Sequence, residues 1–430
     1  MSIWIGAMQK HLEGHKGLTD HNEIVRVDAG KFVYIPLMSM FSTNIEVLVK
    51  EGDSVKVGTM IAKRNDHMTV PFFSSVSGKV VGKQTIMHAV LKPLEHLVIE
   101  NDGLYEKEQP FSPIDFEKAT REELVDFMMN AGIVGCGGAG FPTYMKYKNP
   151  QNISTLIINA VECEPYITAD YREISNNIDD LVLGVKAMLK LSTAKEAWIA
   201  IKSPKKELIA KVRAALVGVS GIVVKEVPDV YPMGWERTLV YQLLKKRYDR
   251  LPSEIGCIVN NATTAIAFAK AIRTGMPIVE KTLTISGNGI KNPANVNVPV
   301  GVKTAEIVAK LGGYAIEDVL LIAGGPMMGK TIPNDQFVVT PYGNAVTILK
   351  TEKIDSVACL RCGRCNDTCP AGLLPVRINN AEQAADLDTI VKLRADQCIE
   401  CGLCTYVCPS KLDVAEGVRR AKRILQLKKK

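Results

Sequence analysis

The sequence predicts a multidomain protein in which all-β and α/β domains precede a cysteine-rich, helical C-terminal segment. Three observations predict this class. Residues up to about 110 alternate apolar and polar side chains around glycine turns, which is typical of β-strands. From Arg121 onward, short apolar strands alternate with helical patterns, as they do in an α/β sheet. Beyond Lys350, eight of the eleven cysteines form two regular groups, and 430 residues are too many for one ordinary core.

The composition is that of a folded protein, with 47% hydrophobic and 23% charged residues. No apolar run reaches the roughly 18 residues that a membrane span needs, and residues 1–14 lack the features of a signal peptide. The net charge of +7 is concentrated in the tail at residues 419–430. We interpret it as a solvated tail, with docking to an acidic partner or a membrane surface as the alternative. Nothing indicates a nucleic-acid partner.

The first domain is expected over residues 1–112. Residues 47–61 and 70–81 each read as two strands around short glycine turns. The pattern resembles the barrel-sandwich hybrid fold of biotinyl and lipoyl carriers. Those carriers present a modifiable lysine at a hairpin tip, whereas this chain has Arg64 to Met68 there. We therefore predict a scaffold or docking domain.

A Rossmann-like α/β domain is expected over residues 113–275, with covered sheet faces and ligand loops at the carboxyl ends of the strands. The predicted helices span residues 122–129, 178–189, 206–216 and 235–244. The predicted strands span residues 156–158, 197–201, 222–227 and 257–259.

The glycine-rich loop at residues 132–146, GIVGCGGAGFPTYMK, is the main candidate for ligand binding. Its candidate residues are Gly135, Gly137, Gly138, Gly140, Phe141 and Lys146. Glycine lets the backbone approach a flat or phosphorylated ligand closely, and Lys146 offers a cation for a phosphate. A tight packing turn is the alternative, and the pattern is neither the GxGxxG fingerprint nor a P-loop. We predict a nucleotide loop.

Residues 276–348 predict a small β-grasp module in the order ββαβ. Strands are expected at 281–287, 296–300 and 319–323, with a turn at 289–293 and a helix at 303–311. A second glycine-rich stretch, GGPMMG, follows at residues 324–329.

The two cysteine groups share the spacing x2, x2, x3 and a following proline. They are Cys359, Cys362, Cys365 and Cys369, and Cys398, Cys401, Cys404 and Cys408. This is the pattern of bacterial two-cluster ferredoxins, whereas zinc sites typically use two separated pairs. Because the fourth cysteine of each run ligates the other cluster, Cys408 is assigned to 4Fe-4S cluster one and Cys369 to cluster two. Residues 349–430 are thus expected to form a ferredoxin-like α domain in a reducing compartment.

Taken together, these motifs resemble the C subunit of the Rnf electron-transport complex family. The resemblance rests on the glycine loop, NAVECEPY at residues 159–166, YPMGWE at 231–236, the GGPMMG stretch and both cysteine groups. The α/β domain is also similar to the NADH-oxidising flavoprotein subunit of respiratory complex I. The β-grasp module resembles the soluble-ligand-binding (SLBB) module found in both.

The resemblance implies that FMN lies against the four glycines, with Lys146 near its phosphate. The other flavin residues that it implies are Asn159, Glu162, Tyr231, Asn260, Asn261 and Thr264. It places Phe141 against the nicotinamide nucleotide, with Glu164 and Glu236 nearby. Of these, Glu164 is the candidate catalytic carboxylate.

This chain departs from the family pattern in two informative places. Residues 201–205, IKSPK, replace an acidic segment and reverse the local charge. Cys136 stands where Rnf subunits usually have an apolar residue, and in this respect the chain is similar to the proline-reductase-associated branch. We hypothesise that Cys136 is a redox-active thiol that pairs with Cys163, and an inert packing residue is the alternative.

The resemblance implies an NADH-dependent oxidoreductase that passes electrons from NADH through FMN and two 4Fe-4S clusters to a protein acceptor. The acceptor is expected to be an Rnf membrane assembly, a ferredoxin or a soluble reductase such as proline reductase. The alternative is a non-catalytic relay or docking subunit with a degenerate nicotinamide site, which Lys202 and Val161 favour. We expect a cytoplasmic protein, with peripheral attachment to the cytoplasmic face of the membrane as a variant.

Overall fold

The computed structural model describes residues 10–428. Residues 1–9 and 429–430 are outside the described residues. They include most of residues 1–14, which lack signal-peptide features, and the last two lysines of the basic tail. Between residues 10 and 428, none of the helices combines the length and the apolar character that a bilayer crossing requires.

The N-terminal part forms a two-sheet β structure, as predicted. Its strands are β1 (Val25–Arg26), β2 (Phe32–Pro36), β3 (Ile45–Val47), β4 (Ser54–Val55), β5 (Met60–Arg64), β6 (Val70–Phe73), β7 (Gly78–His88) and β8 (Lys92–Asn101). One sheet has the order β2-β8-β7-β4 and the other β3-β5-β6, while β1 joins a different sheet. Ile61 and Ile99 are fully buried between the sheets.

The α/β part holds a four-stranded parallel sheet in the order β11-β10-β9-β12. Its elements are α1 (Arg121–Asn130), β9 (Thr155–Asn159), α2 (Ala169–Asn176), α3 (Ile178–Ser192), β10 (Glu196–Lys202), α4 (Lys206–Ala215), β11 (Ile222–Val227), α5 (Glu236–Leu244), β12 (Cys257–Asn261) and α6 (Ala262–Thr274). All four predicted strands and all four predicted helices are confirmed, whereas α2 and α6 were not predicted. Helix α1 begins with a capping box between Thr120 and Glu123.

A mixed sheet follows, in the order β1-β14-β13-β17-β15-β16. Its elements are β13 (Glu280–Ser286), β14 (Ala294–Pro299), α7 (Thr304–Lys310), β15 (Val319–Ala323), β16 (Lys330–Ile332) and β17 (Ala345–Lys350). The predicted ββαβ order is confirmed, and β17 completes the sheet by pairing parallel to β13. The N-terminal sheets and this sheet share one hydrophobic core, in which Ile61 and Ile99 belong to the same cluster as Val296 and Ile348.

The C-terminal segment contains α8 (Arg364–Asp367), α9 (Pro375–Gln383), α10 (Leu387–Lys392), α11 (Leu403–Tyr406) and α12 (Val414–Lys428). A small core of its own, centred on Ile378, Ile390 and Ala421, packs α9, α10 and α12 together. The two cysteine groups wrap around the short helices α8 and α11, so the predicted helical character of this segment is confirmed.

Asn295 ties three separate parts of the chain together in a buried polar network. Its amide donates to the carbonyl of Thr19 at 3.0 Å, and its side-chain oxygen accepts from Thr168 at 3.1 Å and from Thr284 at 2.7 Å. Asn295, Thr19 and Thr168 are fully buried and Thr284 nearly so. The network therefore joins the N-terminal segment, the α/β part and the mixed sheet at one point.

Replacing Asn295 by Ala is expected to destabilise the protein by about 2–3 kcal/mol, because buried hydroxyl and carbonyl groups lose their partner. The measurement is the midpoint of urea unfolding of the full chain. Asn297→Ala is the matched control, since Asn297 lies on the same strand but is only half-buried. Equal midpoints for the two variants would contradict the role given to the network.

Candidate functional site

The glycine loop lies between α1 and β9 and is closed by its own backbone. The Gly135 amide donates to the carbonyl of Phe141 at 2.9 Å, and the Gly140 amide donates to the carbonyl of Gly135 at 3.2 Å. At Gly138, with φ of +118°, a Cβ would meet no atom within 4 Å. At Gly140 it would lie 2.8 Å from the ring of Tyr342. The loop is thus packed on one side and open at Gly138.

Three asparagines hold the loops at the carboxyl edge of the sheet. Asn159 donates to the carbonyl of Gly234 at 2.9 Å and accepts from the amide of Val161 at 3.0 Å. Asn260 donates to the hydroxyl of Tyr147. Asn261 caps α6 and donates to Asp170 at 2.8 Å. These side chains fix the positions of neighbouring loops by hydrogen bonds within the protein.

Lys146 is a largely desolvated cation at this edge. Its ammonium group donates to the carbonyl of Val259 and has no described carboxylate within ion-pair distance. Burial lowers the pKa of Lys146, and Glu236 acts against that shift. Glu236 itself accepts a hydrogen bond from the hydroxyl of Tyr248 at 2.9 Å. An anionic group bound at this edge would supply the charge that Lys146 lacks.

A cavity of about 350 Å³ opens at the carboxyl edge of β9, β10 and β11. Glu162 lines it and pairs with Lys16 at 3.8 Å, and Lys202 pairs with Asp229 at 2.6 Å. Burial raises the pKa of Glu162, with Lys16 opposing the shift. The positive charge that the sequence predicts at Lys202 is therefore matched by a carboxylate within the cavity.

Glu164 lies at a junction between the α/β part, the mixed sheet and the cysteine segment. Its carboxylate accepts from the amide of Met327 at 3.0 Å and from the hydroxyl of Tyr231 at 3.3 Å. The Tyr231 hydroxyl also donates to the carbonyl of Cys401 at 2.8 Å. A Cβ on Gly325 would lie 2.2 Å from the Glu164 carboxylate, so only glycine permits this approach. Burial raises the pKa of Glu164 to about 7.

Three cysteines of the second group lie close to one cysteine of the first group; Cys401 is buried and the other members of the second group are partly buried. Four cysteines line one small cavity: Cys369, Cys398, Cys401 and Cys404. Among the described residues, no three His, Cys, Asp or Glu side chains converge as they would around a single ion. A cubane does not require this convergence, because each of its four thiolates binds a different iron. In the other group, Cys359 and Cys362 are exposed at the surface.

Cys136 is buried in the glycine loop, beside α6 and β13. Its amide donates to Thr264 at 3.0 Å, its thiol donates to the carbonyl of Val134, and Lys281 donates to its carbonyl at 3.2 Å. Burial raises the pKa of the Cys136 thiol. Cys163 instead packs near Tyr231 and the cysteine segment. No described loop amide donates to the sulfur of Cys136, so the condition for a lowered pKa is not met.

Three family models match the chain. The Nuo51 FMN-binding domain matches residues 128–270, the RnfC barrel sandwich hybrid domain matches residues 9–104, and a 4Fe-4S dicluster domain matches residues 350–412. The models thus cover the α/β part, the N-terminal β part and the cysteine segment.

Curated relatives cover most of the chain. The C subunit of an ion-translocating oxidoreductase complex from Rhodobacter capsulatus is 35% identical over 394 residues, which are 89% of this chain and 76% of that protein. The chain belongs to the RnfC family. The C subunit of the proton-translocating ferredoxin:NAD(+) oxidoreductase complex of Clostridium ljungdahlii is 32% identical over 85% of this chain and 81% of its own length. The Na(+)-translocating counterpart from Acetobacterium woodii is also 32% identical, over 82% of each chain.

A solved structure shares the fold of this RnfC-family chain. A chain of the NAD+-reducing [NiFe]-hydrogenase in its air-oxidised state superposes with a TM-score of 0.50 at 18% identity, covering 72% of this chain and 62% of that one. The likeness concerns the fold alone.

The residues of this RnfC-family chain fit FMN and two 4Fe-4S clusters. Among the described residues, Lys146 is a desolvated cation without an ion-pair partner, and the buried indole nitrogen of Trp235 has no hydrogen-bond partner. Lys146 ends the glycine loop and contacts β12, and Trp235 precedes α5 in the connection that follows β11. An anionic, flat ligand could satisfy both groups. The cavity lined by four cysteines fits a cluster that takes only thiolate ligands.

The sequence alone did not indicate several residues that shape the site. Lys16 reaches Glu162 from the N-terminal segment and also donates to the carbonyls of Glu164 and Ile167. Tyr342 packs on Gly140 from the mixed sheet. Both come from distant parts of the chain and carry no local motif, so no spacing in the sequence signals them.

Glu164 gives the stability of the protein a defined pH dependence. The folded-state pKa of about 7 lies above the ordinary value of 4.5, so the folded protein holds a proton that the unfolded chain has released. The free energy of unfolding should therefore fall as pH rises, by about 1 kcal/mol between pH 6 and pH 8. Glu164→Gln should lack this loss. Thermal unfolding midpoints measured between pH 6 and pH 8 test this prediction. Glu317→Gln is the control, because Glu317 is exposed. Parallel pH profiles for wild type and Glu164→Gln would refute it.

Proposed function

We propose that this chain oxidises NADH and passes the electrons through FMN and two 4Fe-4S clusters to a protein acceptor. Bound FMN accepts a hydride and releases electrons singly, while the protein supplies position and electrostatics. One observation carries the proposal: the Tyr231 hydroxyl, from the α/β site, donates to the carbonyl of Cys401 in the second cysteine group. The proposed nucleotide site is therefore joined to the cysteine segment by a direct hydrogen bond.

In this proposal, the residues predicted from the sequence are assigned either to the flavin or to the nicotinamide nucleotide. The four loop glycines and Lys146 hold the flavin and its phosphate, while Asn159, Asn260 and Asn261 order the surrounding loops. Glu162, Tyr231 and Thr264 complete the flavin site. Phe141, Glu164 and Glu236 are assigned to the nicotinamide side. We do not extend the proposal to a Cys136–Cys163 redox pair, because the two thiols pack against different elements.

The arrangement of cysteines also suggests the order in which electrons pass the clusters. Leu403 and Cys401 pack with Tyr231 and Met327 in one apolar cluster, which brings the second cysteine group against the α/β part. Cys359 and Cys362 of the first group are exposed. We propose that cluster two receives electrons from the flavin and that cluster one delivers them.

We propose four domains, at residues 1–112, 113–275, 276–348 and 349–430. We assign residues 276–348 to the β-grasp (SLBB) class. The strand order β14-β13-β17-β15-β16, with β13 and β17 parallel at the centre, supports this assignment. The N-terminal part has its own fold, but its hydrophobic core is continuous with that of the mixed sheet.

The relatives are named as subunits of ion-translocating complexes, two of them acting between ferredoxin and NAD(+). By this relation we propose that the chain works peripherally on the cytoplasmic face of such a complex, with a ferredoxin-type protein or another subunit as acceptor. Assignment to the proline-reductase-associated branch would rest on Cys136 alone, and we do not make it.

Anaerobic titration with NADH tests the proposal on protein reconstituted with FMN, iron and sulfide. Bleaching of both the flavin and the cluster absorbance bands is expected, because one route connects them. Titration with dithionite serves as the control for intact cofactors. Bleaching by dithionite but not by NADH would overturn the proposed NADH oxidation in favour of a relay subunit fed by another protein.

Replacing Lys146 by Met should weaken FMN binding by about tenfold or more, the loss expected for one hydrogen bond to a charged group. The fold should survive, because the change removes a desolvated charge. FMN affinity of the flavin-free protein, measured by quenching of flavin fluorescence, gives the answer. Lys148→Met is the matched control, as Lys148 is exposed two residues further on. Equal affinities of the two variants would remove Lys146 from the site.

A further inference from the structure

The two cysteine groups form a structural repeat in which corresponding residues have the same backbone geometry. Arg361 and Glu400 both have positive φ, at 55° and 58°. Gly363 and Gly402 both have φ of 77° and precede the short helices α8 and α11. The amides of Arg361 and Glu400 donate to the sulfurs of Cys359 and Cys398 at 3.4 and 3.3 Å. Each repeat therefore presents an equivalent face beside its cluster.

In the second repeat this face is covered by the rest of the chain. Leu403 is 1% exposed, and Ile399 packs in the same apolar cluster as Tyr231 and Met327. A Cβ on Gly402 would lie 2.6 Å from the carbonyl of Met327. The face is thus the contact through which this cluster adjoins the α/β part.

In the first repeat the equivalent face is bare. Leu360, which corresponds to Ile399, is 65% exposed, and Arg364, which corresponds to Leu403, is exposed. A Cβ on Gly363 would meet no atom within 4 Å. Ile354 and Val357 on the preceding segment are also exposed. A face with the same backbone geometry and an exposed apolar residue at its centre is therefore open to another molecule.

The charge of the bare face differs from that of the covered one. Glu400 forms ion pairs with Lys422 and Arg419, whereas its counterpart is Arg361. Neither Arg361 nor Arg364 pairs with a carboxylate among residues 10–428. Two unpaired guanidinium groups thus flank exposed Leu360 and the exposed thiols of Cys359 and Cys362. Such a surface favours a partner that carries carboxylates around its own redox centre.

We propose that the face formed by Leu360, Arg361 and Arg364 is the docking site for an acidic iron–sulfur protein of ferredoxin type. The inference rests on the proposed function, since the face is useful only if cluster one delivers electrons. Each NADH oxidised yields NAD+, one proton and two electrons. The two electrons leave singly, so that two one-electron centres of the oxidised partner are reduced.

The test compares the reconstituted full chain with the double variant Arg361→Glu/Arg364→Glu, using an acidic bacterial two-cluster ferredoxin as the probe. Glu is tolerated at positive φ, as Glu400 shows in the other repeat. Lys50→Glu/Lys92→Glu is the control, since both lysines are exposed on the N-terminal β part and the change in net charge is the same. NADH-driven reduction of ferricyanide at the flavin measures the basal activity.

For the double variant we expect kcat/KM for the ferredoxin to fall by about tenfold or more at low ionic strength, with a weaker dependence on salt. Calorimetric affinity for the oxidised ferredoxin, which needs no NADH, should fall as well. Ferricyanide reduction and the control variant should stay within about twofold of wild type. Leu360→Ala should lower ferredoxin affinity without changing its salt dependence.

An equal loss in the control variant, or unchanged ferredoxin affinity in the double variant, would overturn the docking proposal. A wild-type rate of ferredoxin reduction that does not depend on salt concentration would also overturn it, and this measurement does not depend on the folding of any variant. Loss of a self-association equilibrium in the double variant, with ferredoxin binding intact, would assign the face to a second copy of this chain instead. Failure of the proposed function appears separately, as wild-type clusters that NADH does not reduce.

Discussion

The carboxylate of Glu164 is the contact on which the functional arrangement depends. It accepts hydrogen bonds from the amide of Met327 and the hydroxyl of Tyr231, and Tyr231 continues to the carbonyl of Cys401. Removing a charged group from water is costly unless polar partners surround it. The α/β part supplies Tyr231 as such a partner and the mixed sheet supplies Met327, while Tyr231 in turn bonds the cysteine segment. This chain of hydrogen bonds therefore fixes the relative positions of the three parts.

Glycine is required on both sides of this contact. Gly325 lets the backbone approach the Glu164 carboxylate, and Gly402 lets the cysteine segment approach the carbonyl of Met327. A side chain at Gly325 would push the GGPMMG stretch away from Glu164, and a side chain at Gly402 would push the cysteine segment away from Met327. The GGPMMG stretch thus acts as a structural spacer between two cofactor-binding regions.

Local patterns in the sequence predicted the elements and the cysteine groups well, because spacing and periodicity are local properties. The strands of the parallel sheet and the ββαβ order were all recognisable in this way. The contacts that assemble the site were not, since Lys16, Asn295 and Tyr342 act on residues more than a hundred positions away. Helix α6 was not predicted, although Asn261 caps it. The pKa of Cys136 depends on which atoms face its sulfur, and no motif encodes that.

The N-terminal segment has a consequence for how the protein is made. It pairs with Tyr231 through Lys10, contributes Lys16 and Thr19 to buried interactions, and adds β1 to the mixed sheet, where Val25 lies opposite Val296. These two valines are 271 positions apart (296 minus 25). At translation rates of about 5–20 residues per second, β14 is synthesised roughly 15 to 50 seconds after β1. Ribosome-bound chains therefore expose this segment through most of synthesis, and β1 can join the mixed sheet only after β14 has emerged.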